Sequence, residues 1–110
     1  KKLNYKFGTK LGNLLMVGDK LLLSLNGKTM VYDVELKEVS IINIASNMML
    51  KYDEKTALLF VDGYARFLDI EKGIVTKEYN IGEGHVSAAV MVDKENVFYS
   101  KGTKLYILVM

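Results

Sequence analysis

The sequence contains no cysteine, which removes disulfides, thiolate zinc sites and cysteine nucleophiles together and leaves the redox compartment open. Proline is absent as well, so no residue breaks a backbone hydrogen-bond ladder. No apolar run approaches the roughly 18 residues of a membrane span, and the opening "KKLNYKFG" lacks the apolar core of a signal peptide. Charge of a single sign is missing too. The 15 basic and 13 acidic residues are interspersed, give a net charge of +2, and never form the run of like charges that marks a nucleic-acid arm. Only one histidine is present. What remains is a chain of 110 residues, half of them hydrophobic, long enough for one modest domain with a core. A soluble, intracellular chain without a membrane is the expectation. Its first residue is Lys1, not methionine, so trimming from a longer polypeptide is expected.

The apolar residues fall in short runs rich in Val, Ile, Leu, Tyr and Phe, which suit the pleated, half-buried surface of strands. "LLMV" (14–17), "KLLLSLN" (20–26), "TMVYDV" (29–34) and "VSIINI" (39–44) are separated by the turn signals "GDK", "NGK" and "ELKE". Such spacing predicts a meander of hairpins. The unit then repeats. "LLLSLNGKTMVYDV" (21–34) aligns with "ALLFVDGYARFLDI" (57–70) and, with small slippage, with "VFYSKGTKLYILV" (97–109), so that Gly27, Gly63 and Gly102 stand 36 and 39 residues apart. Each copy has an apolar strand upstream that closes on an acidic turn. The first two also have an outer strand downstream, "EVSIINI" and "IVTKEYNIG". The third stops at Met110 without one, while the chain opens with "LNYKFG", a match to the "KEYNIG" that ends the second copy.

A four-stranded antiparallel unit of just under 40 residues resembles a blade of the WD-repeat β-propeller. The fold class expected is therefore all-β: a β-propeller segment of about three four-stranded blades, with the N-terminal strand serving as an outer blade strand. Its divisions are 1–12 as the outer strand of a split blade, 13–46 and 47–84 as blades, and 85–110 as an incomplete blade. The resemblance implies a buried polar tetrad, of which only parts are present. Ser24, Asn26 and Tyr32 stand at its positions in the first copy, Asp62 and Leu68 in the second, and Gly84-His85 with Lys101 in the third. Apolar packing is expected to replace the missing clamp.

Few residues point to chemistry. Asp62-Gly63 lies between two strands, where the pair makes a short hairpin turn; the helices that a calcium or phosphate loop requires are missing. Asp33 and Asp69, at equivalent places, are expected to accept turn amides. Histidine is a common general base, but no nucleophile or orienting carboxylate can be assigned to His85, so it reads as a structural or exposed binding residue. The six methionines read as core filler, and the mixed charges at 19–20, 53–55, 71–72 and 93–95 as a solvated rim. No catalytic residue, metal site or cofactor is expected.

In the resemblance, the turns between second and third strands share one face with the loops between blades, and that face binds partners. Here it would carry Asn26, Lys28, Tyr64, Arg66, His85, Lys101 and Lys104, whose positive excess favours an acidic protein partner. The remaining blades would come from the same polypeptide or from a second copy of the chain. The alternatives are a segment of a propeller enzyme with its ligand over the central channel, and a ribosome- or RNA-associated propeller. Only Tyr64 with Arg66 offers the aromatic and basic interleaving that RNA binding uses.

Overall fold

The computed structural model describes residues 12–25, 27–61 and 63–110. They form eleven strands in three antiparallel sheets, with no helix among them. Sheet 1 is ordered β1 (Leu14–Val17), β2 (Lys20–Leu25), β3 (Lys28–Tyr32), β4 (Glu38–Ile42). Sheet 2 repeats this with β5 (Met48–Lys51), β6 (Thr56–Val61), β7 (Gly63–Asp69) and β8 (Ile74–Gly82). Sheet 3 has three strands, β9 (Val86–Met91), β10 (Asn96–Lys101) and β11 (Lys104–Val109). The first strands lie side by side, β1 against β5 and β5 against β9. The outer strand expected from "LNYKFG" lies outside the described residues.

The turns between second and third strands explain the slippage of the third repeat. Leu25 pairs with Lys28 and Val61 with Tyr64, so both loops have two residues and end on glycine, with φ of 75° at Gly27 and 91° at Gly63. Lys101 pairs with Lys104, so Gly102 takes the first of the two places instead, with φ 59°. A two-residue hairpin loop needs positive φ at the first or at both central residues, and glycine supplies it without a Cβ clash.

That change moves the register of sheet 3 by one residue. Leu22 pairs with Val31 and Leu58 with Phe67, and in sheet 3 the matching pair is Phe98 with Ile107. The sequence reading instead equates Tyr106 with Val31 and Phe67, and expects Phe98 to be buried like Leu22 and Leu58. In the structure Tyr106 stacks on Tyr99, with ring centroids 5.2 Å apart, and Phe98 is 38% exposed.

Packing follows from which faces are covered. Val17, Leu22, Val31 and Ile42 of sheet 1 meet Met49, Ala57, Leu59, Leu68 and Ile70, from sheet 2 and the turn that follows β7. The other face of sheet 2, with Leu58, Phe60, Ala65, Phe67 and Ile81, meets Val86, Val97 and Tyr99 of sheet 3. A smaller cluster of Leu23, Met30 and Tyr32 sits on the far side of sheet 1. Sheet 2 is central, and accordingly Ala57 to Phe60 form an unbroken apolar run that is buried throughout. Each fully buried Leu or Phe there stabilises the fold by about 1.5–3 kcal/mol. Met30 and Met49 are buried, and Met48, Met91 and Met110 pack against the second cluster; Met16 is exposed.

Polar bridges stitch the sheets where the tetrad is incomplete. Ser24 Oγ lies 3.0 Å from Ser46 Oγ, Thr29 Oγ1 donates to the Ile44 carbonyl at 2.7 Å, and Asn47 Nδ2 donates to the Val86 carbonyl at 2.6 Å.

Candidate partner-binding face

Antiparallel order puts the turns after β2, β6 and β10 at one end of the molecule, together with the loops from sheet to sheet (43–47 and 83–85). The opposite end holds the turns after β1, β5 and β9 and those after β3 and β7. Aspartates organise that opposite end. Asp33 Oδ1 accepts the amides of Glu35 and Lys37, Asp69 Oδ1 those of Glu71 and Lys72, Asp53 Oδ1 that of Lys55, and Asp93 Oδ1 that of Glu95. Amide hydrogen bonds favour the ionised carboxylate. The Lys55 amide is the main cause that lowers the Asp53 pKa, and the Glu95 amide, then the Asn96 side chain, lower that of Asp93. These acids are turn braces, as the repeat of Asp33 and Asp69 suggests.

The residues expected to bind a partner fall at the first end, in different settings. Tyr64 and Arg66 follow the β6–β7 turn on one face of β7, with the guanidinium carbon 5.2 Å from the tyrosine ring centroid. Arg66 Nε also donates to Glu78 Oε2 at 2.6 Å, across the β7–β8 ladder, which fixes its plane. Tyr64 joins Gly63, Asn80, Gly82 and Glu83 around a hollow of about 390 Å³. His85 is exposed and lines a second hollow, about 260 Å³, with Ala45, Ser46, Asn47 and Val61. The two hollows flank the same turn. Lys28 and Lys104 are exposed at the starts of β3 and β11. Lys101 is engaged instead: its Nζ donates to the carbonyls of Ile81, Gly82 and Glu83 at 2.7, 3.3 and 3.1 Å, and so pins the loop before β9. Asn26 lies outside the described residues. Among the described residues, no group of three or more His, Asp or Glu side chains comes together as a metal site, and no helix is long and apolar enough to cross a membrane.

The sequence matches no family model and no curated protein. Solved structures do resemble the chain. The WD40 β-propeller domain of Doa1 superposes with a TM-score of 0.67 at 13% identity, over 94% of this chain and 42% of that one. Hsv2p of Kluyveromyces lactis gives 0.64 at 12% identity, over 92% and 33%. The fold is that of a β-propeller segment. Sheets 1 to 3 are blades, β1, β5 and β9 are their inner strands, and the chain spans 33% to 42% of the length of these propellers. At such identity the likeness concerns the fold alone. The hollows around Gly63 were not legible in the sequence, because they depend on how the loops of two successive blades come together.

Proposed function

We propose that this propeller segment is a non-catalytic protein-interaction module, and that the end carrying Tyr64, Arg66, His85, Lys28 and Lys104 docks an acidic patch or peptide of a protein partner. The observation that supports this most is the aromatic–guanidinium pair of Tyr64 and Arg66, held rigid by Glu78 and bordered by hollows on both sides of one turn. Tyr and Arg are among the side chains enriched at interface hot spots, and the Glu78 carboxylate holds this Arg in place before any partner arrives. Lys101 contributes to this end by holding the loop that presents His85.

The test is co-purification with the tagged chain from cells that express it natively. Tyr64→Ala with Arg66→Ala should remove the partner without changing the circular dichroism spectrum. If the partner survives that double substitution and is lost with Glu54→Lys and Glu95→Lys, the opposite end is the docking face.

A further inference from the structure

At the end opposite Tyr64 and Arg66, a cleft of about 360 Å³ opens between blades 1 and 2. Its floor is the margin of the core that those blades share: Val17, Val31 and Ile70 line it, and each is at most 8% exposed. Val39 of β4 adds an apolar wall that is 52% exposed. One side is closed where two turns touch, since a Cβ on Gly18 would stand 2.8 Å from the Glu54 carbonyl oxygen. All the strands that frame the cleft belong to the two four-stranded blades.

The rim is acidic: Asp19, Glu54 and Glu71 line it with a single base, Lys20. Lys20 is neutralised by Asp19 at 2.7 Å, and Glu54 by Lys51 at 2.6 Å, while Glu71 forms no ion pair among the described residues. The charge left over is negative. The corresponding groove between blades 2 and 3, about 390 Å³, has a different character. It is aromatic, because Phe67 takes the place of Val31 and meets Tyr52 and Tyr79 edge to face at 4.6 and 6.1 Å between centroids. Lys77 and Lys94 with Glu95 give it two bases and one acid, for the turn Asp93-Lys94-Glu95 reverses the charge order of Asp53-Glu54-Lys55. The open apolar floor and the acidic rim thus belong to the residues of the first cleft, and the propeller fold alone does not impose them.

We propose that the cleft between blades 1 and 2 is a second docking site, which takes a basic segment of a protein partner by burying one large apolar side chain against Val17, Val31 and Ile70 and setting arginines against the carboxylates of the rim. The order of depth specifies the occupant. The apolar residues lie at the floor and the side chains of Asp19 and Glu54 are 81% and 74% exposed, so an apolar group enters while the charges meet at the edge of water and escape the cost of desolvation. Arginine suits that edge better than lysine, because its planar fork matches a carboxylate with two hydrogen bonds. Alternate residues of an extended segment share one face, so the pattern is a leucine with an arginine two positions away on each side. This segment is opposite in charge to the partner proposed for the turn end and binds at the other end, and either site can fail while the other stands.

The probe is a fluorescein-labelled peptide, Thr-Arg-Thr-Leu-Thr-Arg-Thr, titrated with the full chain by fluorescence anisotropy. Binding should saturate and weaken with added salt, as screening requires. Serine in place of the peptide's leucine should weaken it about tenfold, as for the loss of one buried apolar side chain. Glu71→Lys should weaken it about fivefold, as for an exposed ion pair turned repulsive, and Val39→Lys about tenfold, since it adds a charge and removes an apolar wall. Both positions are exposed, and the circular dichroism spectrum should stay that of the native chain. Glu35→Lys, the same charge reversal outside the cleft, should change affinity less than twofold. The proposal is overturned by any of three results: no saturable binding, equal binding of the peptide with glutamate for arginine or serine for leucine, or affinity unaltered by Glu71→Lys and Val39→Lys.

Discussion

Replacing Phe67 by alanine tests the packing of the whole segment, because this ring is where the core between blades 2 and 3 meets the groove. It is 7% exposed, pairs with Leu58 on β6 and Lys77 on β8, and touches Tyr52 and Tyr79 edge-on. Truncation of a buried Phe to Ala costs about 3–5 kcal/mol, the sum of lost burial and the cavity left behind. Each edge-to-face contact carries about 0.5–1.5 kcal/mol beyond area, so Phe67→Leu, which keeps most of the volume, should cost about 1–3 kcal/mol. A single domain has only about 5–15 kcal/mol in total, so the alanine variant should be close to the limit of folding. Ile107 is the internal control. It occupies the equivalent place in blade 3 but is 52% exposed, and Ile107→Ala should cost less than about 1 kcal/mol. The assay is urea unfolding followed by circular dichroism. At an m-value of about 1–3 kcal/mol per M, the Phe67→Ala midpoint should drop by about 1 M or more, with m unchanged. A cost for Phe67→Ala below about 1 kcal/mol, or equal to that of Ile107→Ala, would refute the assignment of covered and open blade faces.

Gly18→Ala should destabilise more than Gly63→Ala: both have positive φ, 58° and 91°, but a Cβ on Gly18 would stand 2.8 Å from the Glu54 carbonyl oxygen, while one on Gly63 meets nothing. Gly63→Ala should therefore show the backbone cost alone, about 1–2 kcal/mol, and a thermal shift of equal size in both variants would contradict the contact between the β1–β2 and β5–β6 turns. The pH profile should report the braces. Because the folded pKa of Asp53 lies below its unfolded value, its contribution is complete above the ordinary aspartate value of about 3.9 and is lost as pH falls through the lowered one. The stability advantage of the native chain over Asp53→Asn should thus be constant at neutral pH and vanish in acid; an advantage that persists at about pH 2 would mean that the carboxylate charge plays no part.

The fold was legible because strand length, turn chemistry and repeat spacing agreed. Gly27 and Gly63 mark hairpins by dipeptides with a backbone reason to be there, and Ala57 to Phe60 announce a strand covered on both faces. The register of blade 3 was not legible, because a turn with glycine first and one with glycine second differ by one residue and send every side chain to the other face. The role of Lys101 was hidden for a related reason. A lysine beside a turn reads as surface charge until the fold places three carbonyls at its tip. Asp33 and Asp69 were legible as braces, since their bonds are local and stay within four residues. The aromatic groove joins residues from Tyr52 to Met110 across two blades, and no local pattern encodes that meeting.

Blade 3 has an imbalance that its own sequence makes plain. Val86, Val97 and Tyr99 on its inner-facing side are buried against blade 2, as alternation requires. Yet the intervening positions are also apolar: Val90, Phe98 and Ile107 form one cross-strand row, and Leu105 and Val109 lie on either side of it along β11. All five are at least 38% exposed. Their counterparts in blades 1 and 2, Leu22 with Val31 and Leu58 with Phe67, are covered by the blade that follows. A strand meant to face water on one side carries polar residues there, and β11 instead places Leu105, Ile107 and Val109 on that side. At about 1.5–3 kcal/mol for each fully buried large side chain, these five, which are between 38% and 72% exposed, leave roughly half of that gain unrealised. The energetic weight of the described segment therefore lies in its two covered interfaces, with blade 2 common to both.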